Sequence, residues 1–105
     1  MNTLDPKNIE LTREIGAYLE ALGGRVVTAP ELSERFHTHP SRVRGCISLG
    51  RTMGLPLCSN PKGYFWSFEP QDILQTIAHI EDRIKKQQEA VIGLREALGD
   101  PQGHQ

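Results

Sequence analysis

Aromatic side chains are scarce in this 105-residue chain, at three Phe, two Tyr and one Trp, and apolar residues make up only 37% of it. A core built from so little is small, so the length predicts one domain with at most an appendage. No apolar run approaches the ~18–20 residues that span a bilayer. The opening MNTLDPKNIE has neither a basic nor an apolar leader segment, so nothing in it marks export and a cytoplasmic protein is expected. Two cysteines, Cys46 and Cys58, are too few for a disulfide framework and are expected as free thiols.

Groupings that carry chemistry are missing too. His37, His39, Cys46 and Cys58 are the only residues of metal-ligand type near one another, and no pair has the spacing of a zinc site. No nucleophile–base grouping, phosphate-cradling glycine loop or paired carboxylate occurs in a suitable context. The chain is therefore expected to be no enzyme and to need no metal or cofactor.

The most informative absence is of acid. The formal net charge is −1, yet from Arg35 to Phe68 there are five bases (Arg35, Arg42, Arg44, Arg51, Lys62) and no Asp or Glu. A solvated face normally mixes signs. Phosphate responds to local field, screened over roughly 8–10 Å, so a basic stretch on an acidic chain can still bind nucleic acid.

What is present is organised around residues 28–67. Thr28 with Glu31 spells a capping box, and Pro30 sits in the first turn of the helix it opens. His37, Thr38 and His39 interrupt the apolar pattern; Pro40 restarts it in a helix to Met53, stopped by Gly54. Leu55–Cys58 and Tyr64–Ser67 then flank a turn-rich SNPKG, which predicts a hairpin. Before all this, Asp5-Pro6 opens a helix with Ile9, Ile15, Leu19 and Leu22 at helical intervals, ended by Gly23-Gly24. Arg25–Val27 is expected to pair with the hairpin as a third strand. Of the three hairpin rings Tyr64, Phe65 and Trp66, one or two are expected to close the core.

At about 100° per residue, Val43, Cys46, Ile47 and Gly50 share the buried face of the helix begun at Pro40. Ser41, Arg44, Ser48, Arg51 and Thr52 lie largely opposite, with Arg42 at the boundary. Donors outward, with arginines able to fork onto guanine or phosphate, suit a helix that reads a DNA groove. Gly45 and Gly50 fit poorly, each costing up to ~1 kcal/mol in a helix interior, and Leu49 and Met53 point away from the buried face. Either the glycines permit close backbone approach and the two apolar side chains touch another helix, or they simply pack under the hairpin or first helix.

From Pro70 a long helix carries Ile73, Ile77, Ile80, Ile84, Gln87, Val91, Leu94 and Leu98 in alternating steps of four and three, a heptad seam with Gln87 its one polar member. The helix runs to about 40 Å, against roughly 25–30 Å for so small a domain. Folding back would therefore cover only its first half. A homodimer through residues 73–98 is expected, with parallel pairing slightly preferred. Residues 100–105 are expected to be a disordered tail.

The segment SRVRGCISLGRTMGLPLCSNPKGYFWS resembles the winged-helix family that includes the N-terminal domain of the biotin repressor and many small phage and prophage proteins. Ser41, Arg42, Val43, Ile47, Arg51, Gly54, Leu57, Ser59, Gly63 and Tyr64 carry the likeness over about forty residues. One departure is Gly50, where the family has a buried leucine; either Leu49 rotates in or a hairpin side chain fills the gap. The resemblance implies an α+β, mainly α fold. Residues 1–68 would form a winged helix-turn-helix of three helices and a hairpin wing, and residues 69–99 a coiled-coil helix. It implies double-stranded DNA as partner, met by Ser41, Arg42, Arg44, Gly45, Ser48, Arg51, Thr52, Asn60, Lys62 and Tyr64. The role implied is a transcription regulator or replication accessory protein of phage type. The alternative is a module that binds a host protein without reading DNA, which net acidity and apolar Leu49 and Met53 keep open.

Overall fold

Capping side chains and first-turn prolines set the first three helix starts in the computed structural model, which describes residues 5–99. α1 (Pro6–Ala21) begins behind Asp5, whose carboxylate accepts the Lys7 N–H at 2.8 Å. α2 (Ala29–Arg35) carries the expected capping box. Thr28 Oγ1 accepts the Glu31 N–H at 3.2 Å, and the Glu31 carboxylate accepts the Thr28 N–H at 2.9 Å. The backbone hydrogen bond above all, then the hydroxyl, holds the Glu31 carboxyl below its ordinary pKa. The turn that follows places His37 at φ 53°. Ser33 braces it, its carbonyl accepting the Thr38 N–H at 3.0 Å and its hydroxyl donating to the Thr38 carbonyl.

α3 (Pro40–Thr52) has an unanticipated cap: His39 Nδ1 accepts the Ser41 N–H at 3.1 Å. Its far end closes in a Schellman motif, with the Gly54 N–H on the Arg51 carbonyl at 3.0 Å and the Leu55 N–H on the Gly50 carbonyl at 2.9 Å. Gly54 takes the positive φ of 87° that this requires.

That cap corrects the expected hairpin. Leu55 and Pro56 belong to the helix exit, so β1 runs Leu57–Asn60 and pairs antiparallel with β2 (Gly63–Trp66), Leu57 opposite Trp66 and Asn60 opposite Gly63. The loop is Pro61-Lys62 rather than five residues, because Asn60 Oδ1 accepts the N–H groups of both Lys62 (2.8 Å) and Gly63 (3.2 Å). The expected third strand shrinks to one bridge, Val27 exchanging two 2.8 Å hydrogen bonds with Tyr64. Gly63 permits it: a β-carbon there would stand 2.5 Å from the Val27 carbonyl oxygen.

The core joins Ile15 and Leu19 of α1, Leu32 of α2, Val43 and Ile47 of α3, Leu57 of β1, and Val27. Tyr64 and Trp66 pack against it, leaving Phe65 outside the cluster. Both cysteines are free and buried. The buried face assigned to α3, residues 43, 46, 47 and 50, is the one observed. Gly50 lies under the hairpin, where a β-carbon would meet Leu57 Cδ1 at 2.5 Å, Thr12 Cγ2 at 3.2 Å and Leu55 Cδ1 at 3.4 Å. A hairpin side chain, Leu57, thus fills the space beside Gly50 together with Leu55 of the helix exit, as in the alternative to a rotated Leu49. Gly45 meets nothing within 4 Å.

The chain divides into two units, Met1–Ile73 and Leu74–Gln105. The division falls inside α4 (Pro70–Ala97), five residues past the boundary expected at 68/69. In the first unit, Ser67 Oγ donates to Asp72 at 2.7 Å and accepts the Glu69 N–H at 3.1 Å, fixing the start of α4. In the second unit the seam residues Ile77, Ile84, Val91, Leu94 and Leu98 are 43–84% exposed. The expected tail, residues 100–105, lies outside the described residues. Among the described residues the architecture is thus mainly helical, four helices with a two-stranded antiparallel sheet. Among the described residues no helix is long and apolar enough to cross a membrane.

Candidate nucleic-acid interface

The outward face of α3 is a consequence of its inward one. With Val43, Cys46, Ile47 and Gly50 buried, the helical period turns Ser41, Arg44, Gly45, Ser48 and Thr52 outward within an arc of about 100°, and all five are exposed. Ser41 Oγ lies 2.8 Å from His39 Nδ1, so the histidine that caps the helix also orients a hydroxyl at its start. Thr52 Oγ1 donates back to the Ser48 carbonyl at 3.2 Å, and the residue stays exposed. Arg44 extends from one edge of this arc.

The other two α3 arginines are placed differently. Arg51 was expected among the outward donors, but its Nε donates to the Leu57 carbonyl at 2.7 Å and its Nη2 to Ser59 Oγ at 3.1 Å. It sits one side of the outward arc, next to β1, and the unpaired edge carbonyl of Leu57 captures it. Arg42 Nε donates to Asn8 Oδ1 at 2.9 Å, tying α3 to α1. Both guanidinium groups brace the fold, which their charge in the sequence did not announce.

On the hairpin, Lys62 is exposed at the two-residue tip. Asn60, also expected to contact DNA, has its side-chain oxygen committed to the turn. Tyr64 is half-buried against the core, because its backbone is pinned to Val27 and its register places the ring inward. Arg35 stands over the Tyr18 ring with its guanidinium carbon 4.2 Å from the centroid, and Tyr18 in turn meets Phe36 edge-on. A cation held on a ring keeps its charge while losing mobility. The exposed cations of the acid-free segment are therefore Arg35, Arg44 and Lys62.

A depression lined by Lys7, Glu10, Glu14, His37 and Arg42 among others mixes charges of both signs. Among the described residues no group of three or more His, Cys, Asp or Glu could hold a metal ion. The sequence reading missed the His39 cap and the role of Asn8. An asparagine in the first turn of a helix, on the apolar side, is the signal that could have exposed the latter.

No family model matches this chain, and neither does any curated protein or solved structure.

Proposed function

We propose that the chain is a winged helix-turn-helix protein that binds double-stranded DNA with sequence selectivity, as a transcription regulator or replication accessory protein, paired through α4. The observation that carries this reading is the outward face of α3. One arginine and three hydroxyl residues line it, within 34 consecutive residues that contain no acid. Hydroxyls and Arg44 would meet base edges, where bidentate arginine contacts to guanine discriminate most. Lys62 would meet a phosphate beside the groove.

The test is a fluorescence-anisotropy titration of labelled mixed-sequence duplex at low and at moderate salt. Binding should weaken steeply with salt, by a power set by the number of phosphates neutralised. Arg44→Ala should lower affinity while leaving the melting temperature unchanged. Lys62→Ala should weaken all sequences alike and reduce the salt slope by about one. Wild-type protein that binds no duplex at low ionic strength refutes the proposal.

A second reading, docking on another protein, is favoured by one specific feature. Two of the three α3 arginines are bound within the fold, and apolar Met53 is 39% exposed at the end of the same helix. A folded wild type without DNA affinity would leave this reading standing.

A further inference from the structure

α4 presents a seam in which Ile77, Ile84, Val91, Leu94 and Leu98 are exposed and which is self-complementary in one direction. It is an unbroken helix from Pro70 to Ala97, so its side-chain directions follow from one helical period. Numbering the seam as a heptad puts Ile77, Ile84, Val91 and Leu98 at a, and Ile73, Ile80, Gln87 and Leu94 at d. The flanking e positions are then Leu74, Glu81, Gln88 and Arg95, and the g positions Thr76, Arg83, Ala90 and Ala97.

In parallel pairing each g residue faces the e residue five places on in the partner. Those combinations are Thr76 with Glu81, Arg83 with Gln88 and Ala90 with Arg95, and none joins opposite charges. In antiparallel pairing e faces e. Reversing the helix about its seam centre sets Ile84 against the partner's Gln87, Ile80 against the partner's Val91 and Ile77 against the partner's Leu94. Ile73 and Leu98 close the ends, so every a position meets a d position. A shift of one heptad either way loses layers.

This register brings Glu81 within five residues' rise, about 7.5 Å along the axis, of the partner's Arg95. Side chains tilt toward the N-terminus of their own helix. In antiparallel helices these two therefore lean toward each other, and symmetry makes the pair twice. Both residues are exposed, and neither has an ion-pair partner among the described residues. On the far side of the helix, by contrast, Lys86 is already paired with Asp82 at 3.0 Å.

We propose that α4 binds a second copy of this chain as an antiparallel coiled coil, in the register that pairs Glu81 with the partner's Arg95. The proposal rests on the pairing invoked in the functional reading and fixes its direction. The N-terminal ends of the two α4 helices then lie about 45 Å apart along the coil, which bears on how far apart two DNA half-sites would be.

Two experiments on the full-length chain test it without DNA, so their failure is distinct from failure of DNA binding. The first is sedimentation equilibrium. Glu81→Arg and Arg95→Glu should each weaken the dimer by about tenfold, since two exposed attractions become two repulsions, and the double exchange should restore it. The second mixes an Ile77→Cys chain with a mass-tagged Leu94→Cys chain under a thiol–disulfide buffer. Antiparallel pairing yields the mixed disulfide, because positions 77 and 94 share a layer. Disulfides only between like variants would mean parallel helices, and a monomeric wild type at tens of micromolar would mean none; either overturns the proposal, as would single charge reversals that leave the dimer untouched.

Discussion

Gly45 and Gly50 sit five residues apart in the same helix and test whether close packing of the hairpin governs α3. Replacing either by alanine removes the same intrinsic penalty, about 1 kcal/mol. Their surroundings differ. At Gly45 a β-carbon meets nothing within 4 Å, so Gly45→Ala should keep the full gain and raise the melting temperature by about 4–8 °C, the usual response of so small a domain. At Gly50 the new carbon would stand 2.5 Å from Leu57 Cδ1 and 3.2 Å from Thr12 Cγ2. Leu57 and Thr12 are 2% and 0% exposed, so neither can swing into solvent. Overpacking of this kind costs about 1–3 kcal/mol, enough to cancel the gain or reverse it. Gly50→Ala should therefore be less stable than Gly45→Ala by about 1–3 kcal/mol in urea melts followed by circular dichroism. Leu57→Val removes the δ-carbon in the way. It should destabilise the wild type, yet cost less or nothing in the Gly50→Ala background, a coupling measurable by a double-mutant cycle. Equal stabilisation by both glycine replacements would refute the packing account.

Thr12 Oγ1 is buried without a hydrogen-bond partner, so Thr12→Val, which keeps the shape and removes the hydroxyl, should stabilise the fold by about 1 kcal/mol in the same melts. Thr28→Ala should cost roughly 1 kcal/mol, the usual loss of an N-cap side chain; an unchanged melting curve would remove Thr28 from that role. Glu31 has its carboxyl pKa lowered by the Thr28 backbone and hydroxyl, so its contribution is present above the unfolded carboxylate pKa and fades as pH falls through the lower folded value. The acid limb of a melting-temperature profile should accordingly be shallower in Glu31→Gln than in wild type, and coincident limbs would contradict the assignment. Arg51→Ala should lower stability by about 1.5–3 kcal/mol, the range for hydrogen bonds to charged groups, in contrast to Arg44→Ala.

The sequence alone determined the features that depend on neighbours along the chain. Asp5-Pro6, Thr28 with Glu31, Pro40 and Gly54 mark helix ends because caps are satisfied within a few residues, and the structure places those ends within one residue of expectation. The buried face of α3 was equally legible, since a single helical period sorts it. Tertiary structure decided what depends on distant backbone. The expected third strand shrank to the single Val27–Tyr64 bridge, whereas the Schellman exit of α3 and the Asn60 turn, which shortened the hairpin at both ends, are local devices that the apolar pattern did not mark. Gly50 reads as a helix weakness until Leu57 and Leu55 are seen to close over it. The division between arginines was the least legible of all. Arg42, Arg44 and Arg51 carry the same charge on the same helix, but only the first and last have an oxygen of another element within reach. A helical wheel gives direction alone, and whether a guanidinium stays outward depends on the acceptors that folding brings beside it.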